Sequence, residues 1–287
     1  MQDGHYPSLY RSADTLSLEA QRNFFLALRV HLGLLIVAAV LSVVNITHWL
    51  AALTQFIMLI GALGCSIYLF AKRPERTWYS GRALAESVKT MTWRFVSRAE
   101  PFNTDDLLAA LQFQKKLAEL VAQNKEIAQA LTSHIDGSQL TGEMKQFRNL
   151  TLSERKSSYV EDRISDQLKW YAKKARFNKK MASGFFWALV TTNFVAVVLA
   201  ALRIKFAESV IWPTDVFVAA AASILAWMQA KRFSELSSSY SLAATEIGLI
   251  KDQATLITSE QEFSVFVADA ENAFSREHTQ WVARKDV

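Results

Sequence analysis

One cysteine, four prolines and nine glycines are all the punctuation that 287 residues carry. The single thiol, Cys65, excludes an intramolecular disulfide and any cysteine-based metal cluster. So little Pro and Gly, with no clear alternation of apolar and polar residues, argues against a turn-rich β protein and for an all-α chain. Charge is also missing over one long stretch: Val30 to Ala71 contains no Asp, Glu, Lys or Arg in 42 residues. The polar first 23 residues have no hydrophobic core, so a cleavable signal peptide is not expected.

The 42-residue run has room for two membrane helices of about 20 residues, enough at 1.5 Å per residue for a hydrocarbon core of roughly 30 Å. Asn45, Thr47 and His48, followed by Trp49, mark a polar turn between spans at about 30–47 and 49–71. Helical hairpins satisfy their backbone groups internally, as a bilayer demands. A second block repeats the pattern. Phe185 to Leu202 and Val216 to Ala230 are uncharged, giving spans at about 184–202 and 210–230. Pro213 suits a first helical position there, and Asp215 complements the helix dipole. The fold class expected is an all-α membrane protein, with two transmembrane hairpins (four spans) and long cytoplasmic helices forming a bundle.

The net charge of +5 does not point to nucleic acid, because much of the basic charge flanks the uncharged runs. Arg29, Lys72 and Arg73 border the first hairpin; Lys179, Lys180, Lys231 and Arg232 border the second. These residues are the candidate topology anchors, and they set both termini and the central region on the cytoplasmic side of the membrane.

Between the runs, helical periodicity organises the arms. A helix resuming near Thr77 after a break at Pro74 carries Leu84, Val88, Met91 and Phe95 on one face, and Pro101 ends it. Thr104 is the expected cap of the next helix, whose stripe of Leu107, Leu111, Leu117, Leu120, Val121, Ile127 and Leu131 requires a packed partner. Residues 134–151 read as a connector between a first repeat (1–133) and a second (152–287). A helix starting near Tyr159 runs on into the third span, and the fourth continues past Lys231 toward Leu256. Ser259 and Glu262 form a capping box for a last helix striped with Phe263, Phe266, Ala270, Phe274 and Trp281. The halves match in places: Ala71, Lys72 and Arg73 recur 159 residues later as Ala230, Lys231 and Arg232.

Catalytic constellations are not apparent. His5, His31, His48, His134 and His278 are scattered, and the GSQLTGE stretch from Gly137 to Glu143 lacks the Gly-Lys-Ser/Thr ending of a phosphate loop. No cofactor and no enzymatic activity are expected. The polar residues inside the spans, Gln55 and Asn193, either bond neighbouring helices or line a hydrated path. They are the candidate pore-lining or interhelical residues.

Two stretches carry a resemblance. RISDQLKWYAKKA, with Arg163, Ile164, Gln167, Trp170, Tyr171, Lys174 and Ala175 ahead of a hairpin, resembles the SLATT family. AENAFSREHTQW, with Glu271, Glu277, His278 and Trp281, looks like the closing helix of the same family. In the first half, Trp78, Arg82, Ala85, Glu86, Lys89 and Trp93 are similar to another SLATT subtype. The resemblance implies two tandem two-span domains in a bacterial inner-membrane effector of conflict or anti-phage defence. The effector is expected to oligomerise and to perturb or permeabilise the membrane, since two spans per repeat give too few walls for a conducting path through one chain. Expected partners are the lipid bilayer, further copies of the chain, and a nucleotide second messenger or a sensor protein encoded nearby. The competing readings are a membrane-anchored scaffold or regulatory subunit and, with ionisable residues nearly absent from the spans, a less favoured small-solute transporter.

Overall fold

The structure, a computed structural model, describes residues 1–44, 49–134, 136–206 and 211–283, with side chains described as far as Ser275. Among the described residues every regular element is helical. The turn expected at Asn45, Thr47 and His48, the start of the fourth span at Val210, and the side chains of Glu277, His278 and Trp281 lie outside this description. The elements are α1 (Ser8–Val44), α2 (Trp49–Lys72), α3 (Pro74–Val96), α4 (Asp106–Gln123), α5 (Lys125–Ala128), α6 (Gly142–Arg148) and α7 (Leu152–Tyr159). A π-helical turn at Val160–Ser165 leads into α8 (Asp166–Lys205), followed by α9 (Thr214–Lys231), α10 (Phe233–Gln253) and α11 (Glu260–Ala283).

Three helical stretches, within Ser8–Val44, Trp49–Val96 and Leu152–Lys205, are long and apolar enough to cross a membrane. The protein is therefore an all-α membrane protein. Helix α9, at 18 residues with Asp215 and Lys231 inside its bounds, is not among those three.

The chain forms two compact units. A hairpin unit contains Asn23–Arg73 and Ala172–Ser241; an arm unit contains Met1–Arg22, Pro74–Tyr171 and Leu242–Val287. In the hairpin unit, few residues of the apolar windows are buried, and Phe56, Phe70, Trp187, Phe194 and Val197 are exposed. Gly61 sits against Leu34, where an added Cβ would meet Cδ1 at 3.0 Å; Gly33 and Gly64 have open space instead.

In the arm unit α3 is the centre. Leu84, Ala85, Val88, Thr92, Trp93 and Phe95 are buried, and α11 packs along it with Phe263, Val267, Ala270 and Phe274. Thr92, not Met91, completes the inner stripe, its hydroxyl satisfied by the Val88 carbonyl at 2.8 Å.

Several helix ends differ from expectation. Pro74 is the first residue of α3, so it opens the helix without interrupting it; the break falls at Arg73, whose φ is 43°. Helix α3 ends at Val96, ahead of Pro101, with Arg98 at φ 56°. Asp105, not Thr104, caps α4 by accepting from the Leu108 N–H at 3.0 Å. The buried face of α4 is Ala109, Phe113 and Leu117, while Leu107 and Leu111 of the expected stripe are exposed.

The helix expected near Tyr159 starts about two turns earlier at Leu152, where Thr151 and Glu154 form a reciprocal capping box. Within residues 134–151, α6 buries Met144 and Arg148. Pro213 occupies the cap position ahead of α9. Helices α9 and α10 are separate because Arg232 adopts a left-handed conformation, φ 51° and ψ 38°. Arg73 and Arg232 thus break the chain at equivalent points of the Ala-Lys-Arg repeat. The capping box of Ser259 and Glu262 forms as expected, with Ser259 N–H to Glu262 Oε2 at 3.1 Å and Glu262 N–H to Ser259 Oγ at 3.3 Å.

Candidate functional site

The arm unit encloses charge. Arg163 and Glu271, with side chains 2% and 0% exposed, form a two-pronged ion pair: Nε donates to Oε1 at 2.8 Å and Nη2 to Oε2 at 2.7 Å. The Tyr159 hydroxyl donates to the same Oε1 at 3.0 Å, and the Arg163 guanidinium lies 5.0 Å from the Phe274 ring centroid. The π-helical turn sets this geometry. One extra residue in a turn rotates the downstream helix by about 100° relative to an uninterrupted α-helix. Trp93 packs edge-on against Tyr159 at 5.6 Å and donates its Nε1–H to the Tyr6 hydroxyl at 2.9 Å.

A second ion pair lies in the same unit. Arg82 reaches Glu86 at 2.6 Å and Asp14 at 3.1 Å, with Glu86 buried. Lys89 is 5.8 Å from the Tyr6 ring centroid and within electrostatic range of both Glu86 and Glu271. Three cations (Arg82, Lys89, Arg163) thus face three carboxylates (Asp14, Glu86, Glu271).

Burial governs the electrostatics. It opposes the charge of Arg163, but the Glu271 carboxylate more than offsets this and holds the guanidinium above its ordinary range. Burial, reinforced by Arg163, holds the Lys89 ammonium below the lysine range. Burial also pushes the Tyr159 phenol far up, with Glu271 adding to the effect. A phenol raised this way stays protonated and serves as a donor. Arg163 Nη1 is buried with no hydrogen-bond partner among the described residues. A guanidinium tied into a carboxylate on this geometry can align helices, and it is poorly suited to proton transfer.

Two further buried arginines were not legible in the sequence. Arg148 donates to the carbonyls of Phe95 (2.7 Å) and Thr104 (2.9 Å) and to Asp106 (2.8 Å). Arg155 donates to the carbonyl of Ser97 at 3.0 Å and pairs with Glu260. The Phe95 and Ser97 carbonyls lie at the end of α3, where a helix leaves acceptors free, and the Thr104 carbonyl lies just ahead of α4. Nothing in the sequence around either arginine marks it as buried. The Thr-x-x-Glu spacing at Thr151 was the available signal that a helix began between them.

In the hairpin unit the candidate polar residues part company. Gln55 donates across the first hairpin to the Ala38 carbonyl at 3.3 Å. Asn193 donates to the Leu189 carbonyl of its own helix at 2.9 Å and is exposed on this chain. His31 Nδ1 lies 3.0 Å from the Ala62 carbonyl, a contact between α1 and α2 that sequence reasoning missed. An apolar groove of about 370 Å³ runs between the same helices, past Ala27, Val30, Gly61 and Gly64.

Among the expected anchors, Lys72, Lys179 and Lys180 are exposed, and Arg29 donates to the Phe25 carbonyl at 3.1 Å. Arg73 lies 5.6 Å from the Phe70 ring centroid, and Arg232 pairs with Glu235 at 2.5 Å. Lys231 Nζ sits 3.3 Å from the Phe25 ring centroid and 5.1 Å from that of Trp227.

Two known family models cover nearly all of this chain. The model of SMODS and SLOG-associating 2TM effector domain 3 matches residues 7–156. That of SMODS and SLOG-associating 2TM effector domain 1 matches residues 159–281. The chain belongs to the SLATT family. It holds two SLATT domains of different subtypes in tandem and is a membrane effector by family. No curated protein and no solved structure matches the chain. The residues that suggested SLATT in the sequence include Glu86, Trp93, Arg163, Ile164 and Glu271, all buried in the arm unit. Those SLATT signatures therefore encode a charged core, and the Trp93–Tyr159 contact joins the two domains within it.

Proposed function

We propose that this tandem SLATT protein is a bacterial inner-membrane effector whose copies assemble and permeabilise or depolarise the membrane when triggered, in defence against phage. The supporting observation is Asn193. Its carboxamide bonds only its own helix among the described contacts, while the side chain stays exposed at membrane depth on one chain. An amide cannot face hydrocarbon cheaply, whereas a second helix or a hydrated path would satisfy it. Few residues in the span windows are buried, which supports walls completed by further copies.

In this reading both hairpins cross the membrane, α9 completing a fourth span, with both termini in the cytoplasm. The trigger is a nucleotide second messenger or a neighbouring sensor protein, and the chain itself performs no catalysis. A scaffold reading draws on a different observation: Leu107, Leu108 and Leu111 are exposed together on α4, an apolar face suited to a cytoplasmic partner.

A voltage-sensitive dye in cells expressing the chain with its neighbouring genes, under phage challenge, separates the two. Depolarisation that is lost in Asn193→Leu supports the pore. Unchanged potential with retained defence overturns it in favour of the scaffold. Reporter fusions after Thr47, Leu140 and Ala207 and at the C-terminus should read outside, inside, outside and inside; an inside reading at Thr47 removes the topology.

A further inference from the structure

We propose that Arg29, Lys174 and Lys231 form a binding site for an anionic phosphate group, that of an acidic phospholipid headgroup, at the cytoplasmic border of the hairpin unit. The proposal rests on the membrane placement of the hairpins and not on the pore reading.

The charge count of this border is lopsided. In the hairpin unit, three basic residues from the first hairpin and seven from the second stand at the ends of the uncharged runs bearing Lys and Arg on the proposed cytoplasmic side. The same ends contribute one carboxylate, Glu235, which pairs with Arg232. A solvated basic rim, spread to keep its charges apart, would explain such a count by itself. Lys231 does not behave that way. It is half-buried, its ammonium rests on Phe25 of α1 and beside Trp227 of α9, and those two rings contact each other edge-on at 5.7 Å.

Arg29 of α1 and Lys174 of α8 are close enough for their charges to act on Lys231. Three helices, drawn from both domains, thus hold like charges within electrostatic range of Lys231 despite their mutual repulsion. The aromatic pair fixes the lysine by cation–π attraction, which leaves its outward hydrogens for an acceptor.

Position completes the argument. Arg29 immediately precedes the uncharged run that starts at Val30, and Lys231 immediately follows the run that ends at Ala230. That is the depth of the headgroup phosphates, and basic pockets between membrane helices on the cytoplasmic side bind such groups. A phosphate there would neutralise the convergent charge and join α1 to α8 and α9.

The test uses the full chain in nanodiscs of phosphatidylcholine with or without phosphatidylglycerol. Readouts are bound lipid by native mass spectrometry and thermal unfolding. Phosphatidylglycerol should be retained selectively and should raise Tm. Arg29→Gln with Lys231→Gln should weaken retention about 30-fold, at about 1 kcal/mol for each lost cation. Lys179→Gln with Lys180→Gln removes the same charge from exposed positions and should leave retention unchanged.

Equal losses in the two double variants would mean diffuse attraction only and overturn the site, as would equal retention of phosphatidylcholine. Lys231→Arg, which keeps charge and ring contact, should retain the lipid and guards against misfolding of the glutamine variant. Inorganic phosphate in pure phosphatidylcholine discs should not reproduce the Tm rise. A rise that requires Arg29 and Lys231 would assign the site to a soluble phosphate and overturn the lipid.

Discussion

The regular elements described in the arm unit and in the hairpin unit are all helical, and the two units are held by opposite means. In the arms, where α3 meets α11, the helices converge on buried charge: Arg163 with Glu271, Arg82 with Glu86, and Arg148 and Arg155 on backbone carbonyls. In the hairpins the polar side chains are few and bond mostly to backbone, as Gln55, His31 and Asn193 do. The difference arises from the surroundings. An arm in water can bury apolar surface and still choose one arrangement by matching charges. A hairpin in lipid gains nothing from hiding apolar groups and relies on close packing and a few amides. Buried ion pairs are weak stabilisers compared with apolar replacements, so we expect the arm network to select the helix register.

The largest effect should come from breaking that network at one end. Glu271→Ala leaves Arg163 buried without its carboxylate and should cost about 3–5 kcal/mol. Thermal unfolding of the chain in detergent measures it. Arg163→Met with Glu271→Leu should recover most of the loss; a double variant as unstable as the single one would mean that the pair does more than match charge.

Overpacking comes next. A Cβ at Gly81 would meet the Ala13 carbonyl oxygen at 3.2 Å and Ser17 at 3.3 Å, so Gly81→Leu should destabilise the arm unit by about 1–3 kcal/mol. Denaturant midpoints at constant slope are the check. Thr151→Ala removes the capping box of α7 and should cost about 1 kcal/mol, visible as faster amide exchange at the start of that helix.

The hairpin changes should be smallest. Gln55→Leu gives up one bond to Ala38 and should cost about 0.6 kcal/mol. Asn193→Leu should leave the unfolding midpoint of a single chain almost unchanged, because the amide bonds its own helix. A large loss of stability in that variant would contradict the contrast between the units.

Much of this was legible in advance because it depends on local rules. Uncharged runs long enough for a bilayer need no tertiary knowledge, and the capping box at Ser259 and Glu262 is a spacing. The stripe on α4 misled for the opposite reason. Leu107 and Leu111 have the right period, yet the neighbours that α4 meets select Ala109, Phe113 and Leu117. Periodicity identifies an amphipathic face, and when apolar residues extend round the helix it cannot choose among them. The breaks at Arg73 and Arg232 were hidden because arginine carries no preference for left-handed backbone.

The sequence alone determined the all-helical class, the membrane runs with their basic borders, and the tandem SLATT family. The class and the runs rest on composition and on spacing within one helix, and the family rests on a resemblance that two family models bear out. Tertiary structure alone decided that Arg148, Arg155 and Arg163 lie inside, that Glu271 receives Arg163, and that Lys231 rests on Phe25. A charged side chain reads as solvated until its partner is known, and these partners stand 105 residues away for Arg155, 108 for Arg163 and two hundred and six for Lys231. Only folding brings such residues together, so only the folded chain shows which charges are buried and what they hold.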